Sequence, residues 1–121
     1  IIEGEKTLFV DWKGFQLIES VKNGCEQILF FLKEHNCTKV LNDNTNVTGV
    51  WSGASEWVAM DWFPRMRAAG LKKFAWVYSP SYFSRMSTDK TLDATPEDIL
   101  NEKIIRVFTD KREAEEWLKE D

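Results

Sequence analysis

The sequence predicts one α/β domain, a mixed and mostly parallel sheet of about five strands with helices packed on it. Three observations carry this. A length of 121 residues suits a single hydrophobic core. Apolar residues at 43% and charged residues at 30% are ordinary for a folded globular chain. Strand-like and helix-like runs also alternate through most of the length, the pattern of parallel strands joined by right-handed crossovers. No repeat, linker or low-complexity tract interrupts residues 1–121, so they read as one domain.

Ile1 and Ile2, a turn at Glu3 and Gly4, and the alternating run Thr7 to Trp12 read as a hairpin ended by Gly14. From Gln16 to His35, Leu17, Ile18, Val21, Cys25, Ile28, Leu29 and Leu32 recur at steps of three and four, one apolar stripe on a long helix. On that helix Phe30 falls among Glu19, Glu26 and Lys33 and is expected in solvent. Thr38 to Leu41 is a short strand that turns polar at Asn42, Asp43 and Asn44, as if leaving the core.

Ser52 is placed to cap a helix over 53–69 that stops at Gly70 and bends at Pro64. Its inward face would be Val58, Ala59, Trp62, Phe63, Met66 and Ala69, leaving Trp57 outward beside an Asp61 and Arg65 pair at i and i+4. Phe74 to Tyr78 is apolar on both parities, which predicts a strand covered on both faces. Residues 81–91 read as a helix carrying Tyr82, Phe83 and Met86 inward. Thr95, Pro96, Glu97 and Asp98 start a short helix, Ile104 to Phe108 is a strand, and Asp110 with Glu113 caps a last helix burying Ala114, Trp117 and Leu118.

A net charge of −4 with interspersed basic residues gives no field for a phosphate backbone, so nucleic acid is not expected as a partner. No apolar run reaches the roughly 20 residues of a membrane span, and Ile1 to Lys6 has neither the basic nor the apolar region of a secretion signal. Cys25 and Cys37 are too far apart on the predicted elements to pair, and thiols suit a cytoplasmic location. The single histidine, His35, ends a helix, where it serves the helix dipole. There is no raw material for a metal site or a histidine triad, and no phosphate-binding glycine pattern. No catalytic residue, cofactor or enzymatic activity is therefore expected.

The strand Lys39, Val40, Leu41, Asn42 and Asp43 is followed by a loop ending Val50, Trp51, Ser52, Gly53 and Ala54 at a helix start. With the order ββαβαβαβα, these residues resemble the STAS superfamily, best known from bacterial anti-sigma factor antagonists. The closing stretch Val107 to Asp110 and Glu113 to Leu118 is similar to stand-alone STAS-like domains related in fold to CRAL-TRIO lipid-binding domains. The resemblance implies a non-enzymatic regulatory or protein-interaction domain acting on a protein partner or as a homodimer. Its alternative is a pocket for a lipid or small molecule at the carboxyl edge of the sheet. It also implies phosphorylation at Ser52, the serine before glycine, where a plain N-cap is the other reading.

The carboxyl edge is where open α/β sheets bind ligands. It would gather Asp43, Asn44, Thr45 and Asn46 with Ser52, Ser79, Ser81 and Arg85, either as plain turn residues or as a site for a small anionic ligand between Ser52 and Arg85. A small apolar or anionic ligand could also take a pocket lined by the aromatic residues and this edge. Trp51 and Trp57, with Asp61 and Arg65, mark a face that is either a partner interface or is turned by a phase shift at Pro64 and covered by the loop before Ser52. Phe30 is either an interface residue or a lone exposed one.

Overall fold

The structure is a computed structural model describing residues 6–120. Four strands, β1 (Thr7–Phe15), β2 (Lys39–Thr48), β3 (Lys73–Val77) and β4 (Ile105–Phe108), form a parallel sheet in the order β1-β2-β3-β4. The expected hairpin partner at Ile1 and Ile2 lies outside the described residues. Helix α1 (Ile18–Glu34) joins β1 to β2, and a composite helix α2 over 52–68 joins β2 to β3. Two helices, α3 (Tyr82–Ala94) and α4 (Glu97–Asn101), lead to β4, and α5 (Lys111–Lys119) closes the chain.

Because each crossover steps to the next strand in the same direction, a constant hand puts the connecting helices on one face. The main core lies there, with Leu8, Val40, Phe74 and Trp76 of the sheet against Val21, Ile28 and Leu32 of α1, Trp62, Phe63 and Met66 of α2 and Ile99 of α4. The other face is covered by α5, which packs Ala114 and Leu118 on Leu41, Ala75, Val77 and Phe108. Two register partners hold that helix by its end. Lys39 donates to the Leu118 carbonyl at 2.5 Å, and Lys73 to those of Trp117 and Glu120 at 2.9 and 2.6 Å, satisfying carbonyls that a helix terminus leaves open. Asp110 caps its start, accepting from the Arg112 N–H at 2.9 Å.

Two strands run longer than expected. Gly14 does not end β1 but lies within it, opposite Val47, at the positive φ of +78° that glycine tolerates. Nor does β2 leave the core at its polar residues, since Asn42, Asp43 and Asn44 are all buried. The register shifts between Asp11 and Lys13, where β2 carries one extra residue. Asp43 accepts there from the Thr45 N–H and hydroxyl, at 2.9 and 2.5 Å, which gives the bulge its local hydrogen bonds.

The composite helix begins as a 3-10 turn (Ser52–Ala54), continues through Ser55–Trp57, widens to a π turn (Val58–Trp62), and ends as an α-helix (Phe63–Ala68). Pro64 explains the widening: its ring collides with the carbonyl four residues back and it has no N–H to donate. The Phe63 N–H reaches Val58 O instead, and Trp62 and Phe63 both turn inward. Trp62 Nε1 then donates to Cys25 O at 2.8 Å, fastening α2 to α1. Cys25 and Cys37 are buried and do not bond to each other. Burial pushes the Cys25 thiol well above its ordinary range.

Candidate functional site at the carboxyl edge

Helix α3 is turned opposite to the expectation. Tyr82, Phe83 and Met86 are 69%, 56% and 49% exposed, and the inward residues are Ser84, Ser87, Thr88 and Thr91. The inversion is stable because these hydroxyls bond within the helix. Ser87 donates to Phe83 O at 3.2 Å, Thr88 to Ser84 O at 3.4 Å and Thr91 to Ser87 O at 2.9 Å. Outside the helix, Ser84 donates to Gly49 O at 2.7 Å, Ser55 donates to Ser87 O at 3.1 Å, and Ser87 accepts from the Trp51 N–H at 3.0 Å. Short side chains let α3 lie close to 49–55, and their satisfied hydroxyls remove the usual cost of polar burial.

The consequence is an apolar collar. Phe15, at the end of β1, lies over Gly49: a Cβ there would stand 2.6 Å from its ring, and φ is +79°. Ile18, at the start of α1, lies over Gly53 at 2.7 Å by the same measure. Leu17 and Val50 are their neighbours in sequence, and Tyr82, Phe83 and Met86 belong to the helix whose Ser84 and Ser87 bond to the Gly49 carbonyl and the Trp51 N–H; all seven are exposed. Among the described residues, the other exposed large apolar side chains are Phe30, Met60 and Leu100, which lie on other elements.

Trp51 of the loop 49–53 also walls a cavity, whose lining includes Trp12, Gln16, Asn42, Asn44 and Trp76 together with Val21, Cys25, Val47, Val58, Trp62 and Phe74. Its volume is about 30 Å³. Trp51 stacks on Trp76 with ring centroids 6.0 Å apart. Trp12 Nε1 donates to Asn42 Oδ1 at 2.7 Å, and Asn42 Nδ2 to Asn44 Oδ1 at 3.2 Å. Trp76 is 3% exposed, and its indole N–H has no acceptor among the described residues.

The residues expected at one ligand edge are thus divided. Asn42 and Asn44 line the cavity, whereas Asp43, next in a strand whose side chains alternate, serves the opposite face, 3.9 Å from Lys111 Nζ. Ser79 is buried and committed, donating to Val47 O at 2.6 Å and accepting from the Ser81 N–H. The Arg85 guanidinium sits 4.8 Å above the Tyr78 ring, and among the described residues no hydrogen bond joins it to Ser52. Ser52 is not the N-cap: it is the first residue of the 3-10 turn, behind Trp51, and its hydroxyl caps nothing. Likewise Thr95 does not cap α4, since its hydroxyl donates to Thr91 O at 2.8 Å.

The expected aromatic interface is also revised. Trp51 is buried, and Trp57 is half-buried with Lys22 and Arg65 each 5.7 Å from its ring. Arg65 pairs with Asp61 at 2.8 Å, as the spacing predicts, and with Glu26 at 2.7 Å. These three residues join α1 to α2. Phe30 is exposed, as its helical phase predicts. Sequence reasoning missed Trp12, Asn42 and Trp76 as cavity residues. Strand parity puts Asn42 and Asn44 on one face, but the register that sets Asn42 beside Trp76 leaves no mark in the sequence.

No group of three or more metal-ligating side chains occurs among the described residues, and no helix of the described residues is long and apolar enough to cross a membrane. Compared with protein-family models, curated proteins and solved structures, the chain matches none.

Proposed function

We propose that this protein is a non-enzymatic interaction domain that associates with a second copy of itself through the apolar collar. The observation that supports this most strongly is the inverted helix: α3 keeps its hydroxyl groups inside and presents Tyr82, Phe83 and Met86 to solvent. Contiguous apolar surface that is not spent on the core marks interaction sites. Charges of both signs adjoin these residues in sequence, Lys13 and Arg85 against Glu19, so two copies related by a two-fold axis can oppose unlike charges.

The STAS-like reading belongs to this proposal. Over residues 7–119 the chain runs β-α-β-α-β-α-α-β-α, an order compatible with that resemblance once its first strand is set aside. A regulatory role, phosphorylation of Ser52 and a cytoplasmic location go with it.

Dilution tests the interface directly. Amide spectra of labelled protein, recorded from millimolar to low micromolar concentration, should move at residues 15–18, 49–53 and 82–86 and stay fixed on α5. Spectra unchanged over that range would contradict self-association. Shifts centred on Trp57, Asp61 and Arg65 would place the interface on the other face.

A further inference from the structure

The direction of the hydrogen bonds in the cavity wall limits what the cavity accepts. An indole N–H can only donate, so Trp12 fixes Asn42 with its oxygen toward Trp12. The Asn42 amide nitrogen is then the donor to Asn44, which must offer its oxygen and is left with its NH2 group at the free end of the chain. Trp76 adds a buried indole N–H with no acceptor among the described residues. Leaving such a donor unpaired in an apolar wall costs about 1–3 kcal/mol, and native structures seldom do so without a reason. Of the cavity's polar side-chain groups, the Trp76 indole N–H is therefore the one that the described residues leave wholly without a partner.

No lysine, arginine or histidine lines the cavity. A buried anion would find hydrogen bonds but no counter-charge, and an uncompensated charge is costly to bury. A cavity of about 30 Å³ has room for a head group of one or two heavy atoms, and a wall that includes Trp12, Trp51 and Trp76 suits a flat apolar body. We propose that the cavity binds a small neutral molecule whose carbonyl oxygen accepts from Trp76 Nε1 and whose planar apolar body lies against the tryptophan wall. This inference is independent of the collar and stands whichever way self-association is decided.

Three probes of similar shape separate the chemistries: benzamide with a neutral carbonyl, benzoate with an anionic one, and toluene with none. The readout is the Trp76 indole N–H resonance of ¹⁵N-labelled full chain, assigned by through-bond correlation. Benzamide should move it saturably to lower field, as an N–H moves on gaining an acceptor. Benzoate should bind at least roughly tenfold more weakly, and toluene should leave that resonance in place. A resonance that benzamide does not move saturably would overturn the proposal, with ordered water as the donor's sole partner. Equal binding of benzoate, or an equal shift from toluene, would overturn the carbonyl assignment.

Discussion

The backbone N–H of Trp51 donates to the hydroxyl of Ser87 at 3.0 Å, joining the loop after β2 to the inward face of α3. The same hydroxyl donates to Phe83 O at 3.2 Å. One buried serine thus fixes both the indole that stacks on Trp76 and the helix turn that presents Phe83 outward.

Replacing that serine removes the acceptor and leaves a buried N–H unpaired. Ser87→Ala should lower the unfolding free energy by about 1–3 kcal/mol, although alanine is the better helix former. Urea titration measures this. Stability equal to or above that of the parent would contradict the account of α3.

Gly24 lies within α1, where glycine costs about 1 kcal/mol relative to alanine. Trp12 supplies the reason: a Cβ on Gly24 would stand 2.3 Å from the tip of its indole. Gly24→Ala should therefore destabilise by about 1–3 kcal/mol through overpacking, against its helix propensity, and release the Trp12 bond to Asn42. Thermal unfolding and the Trp12 indole N–H resonance report the two effects. A more stable variant with that resonance unmoved would contradict the placement of Trp12.

Tyr78 donates its hydroxyl to Asp89, and its pKa is pushed up to about 12, first by burial and then by that bond. A phenol ordinarily ionises near pH 10. Since the folded value is the higher, the stability Tyr78 contributes is complete below about pH 10 and is lost as pH rises toward 12. The difference in urea midpoint between the parent and Tyr78→Phe should be flat up to pH 10 and change in disfavour of the parent above it. A difference constant to pH 12 would contradict the shift.

Much of the fold is legible because periodicity reports which residues share a face. The α1 stripe is buried at Val21, Cys25, Ile28, Leu29 and Leu32 but not at Leu17 and Ile18, which are exposed. The expected strand Phe74 to Tyr78 is buried from Phe74 to Val77. The inward set of α2 is buried at Val58, Ala59, Trp62, Phe63 and Met66, with Ala69 partly so. Periodicity does not say which face is inside when the opposite face can satisfy itself. In α3 the Ser and Thr hydroxyls bond to carbonyls four residues back, so the polar side is the one that packs and the apolar side is left in water. The polar end of β2 misleads for a related reason: Asn42 is buried because its partner, Trp12, comes from a strand thirty residues earlier. Pairings across that separation leave no local trace, so the cavity could be placed at the right edge of the sheet but not assembled from its residues.

Sedimentation equilibrium on the parent, Phe83→Ser and Phe30→Ser tests the proposed function most directly. Both phenylalanines are exposed, so neither change should unfold the chain, and only Phe83 belongs to the collar. The account predicts a dimer for the parent and for Phe30→Ser, with the dissociation constant of Phe83→Ser raised tenfold or more, as loss of a central aromatic anchor does. A parent that sediments as a monomer at every concentration, or a dimer indifferent to Phe83→Ser, would contradict it.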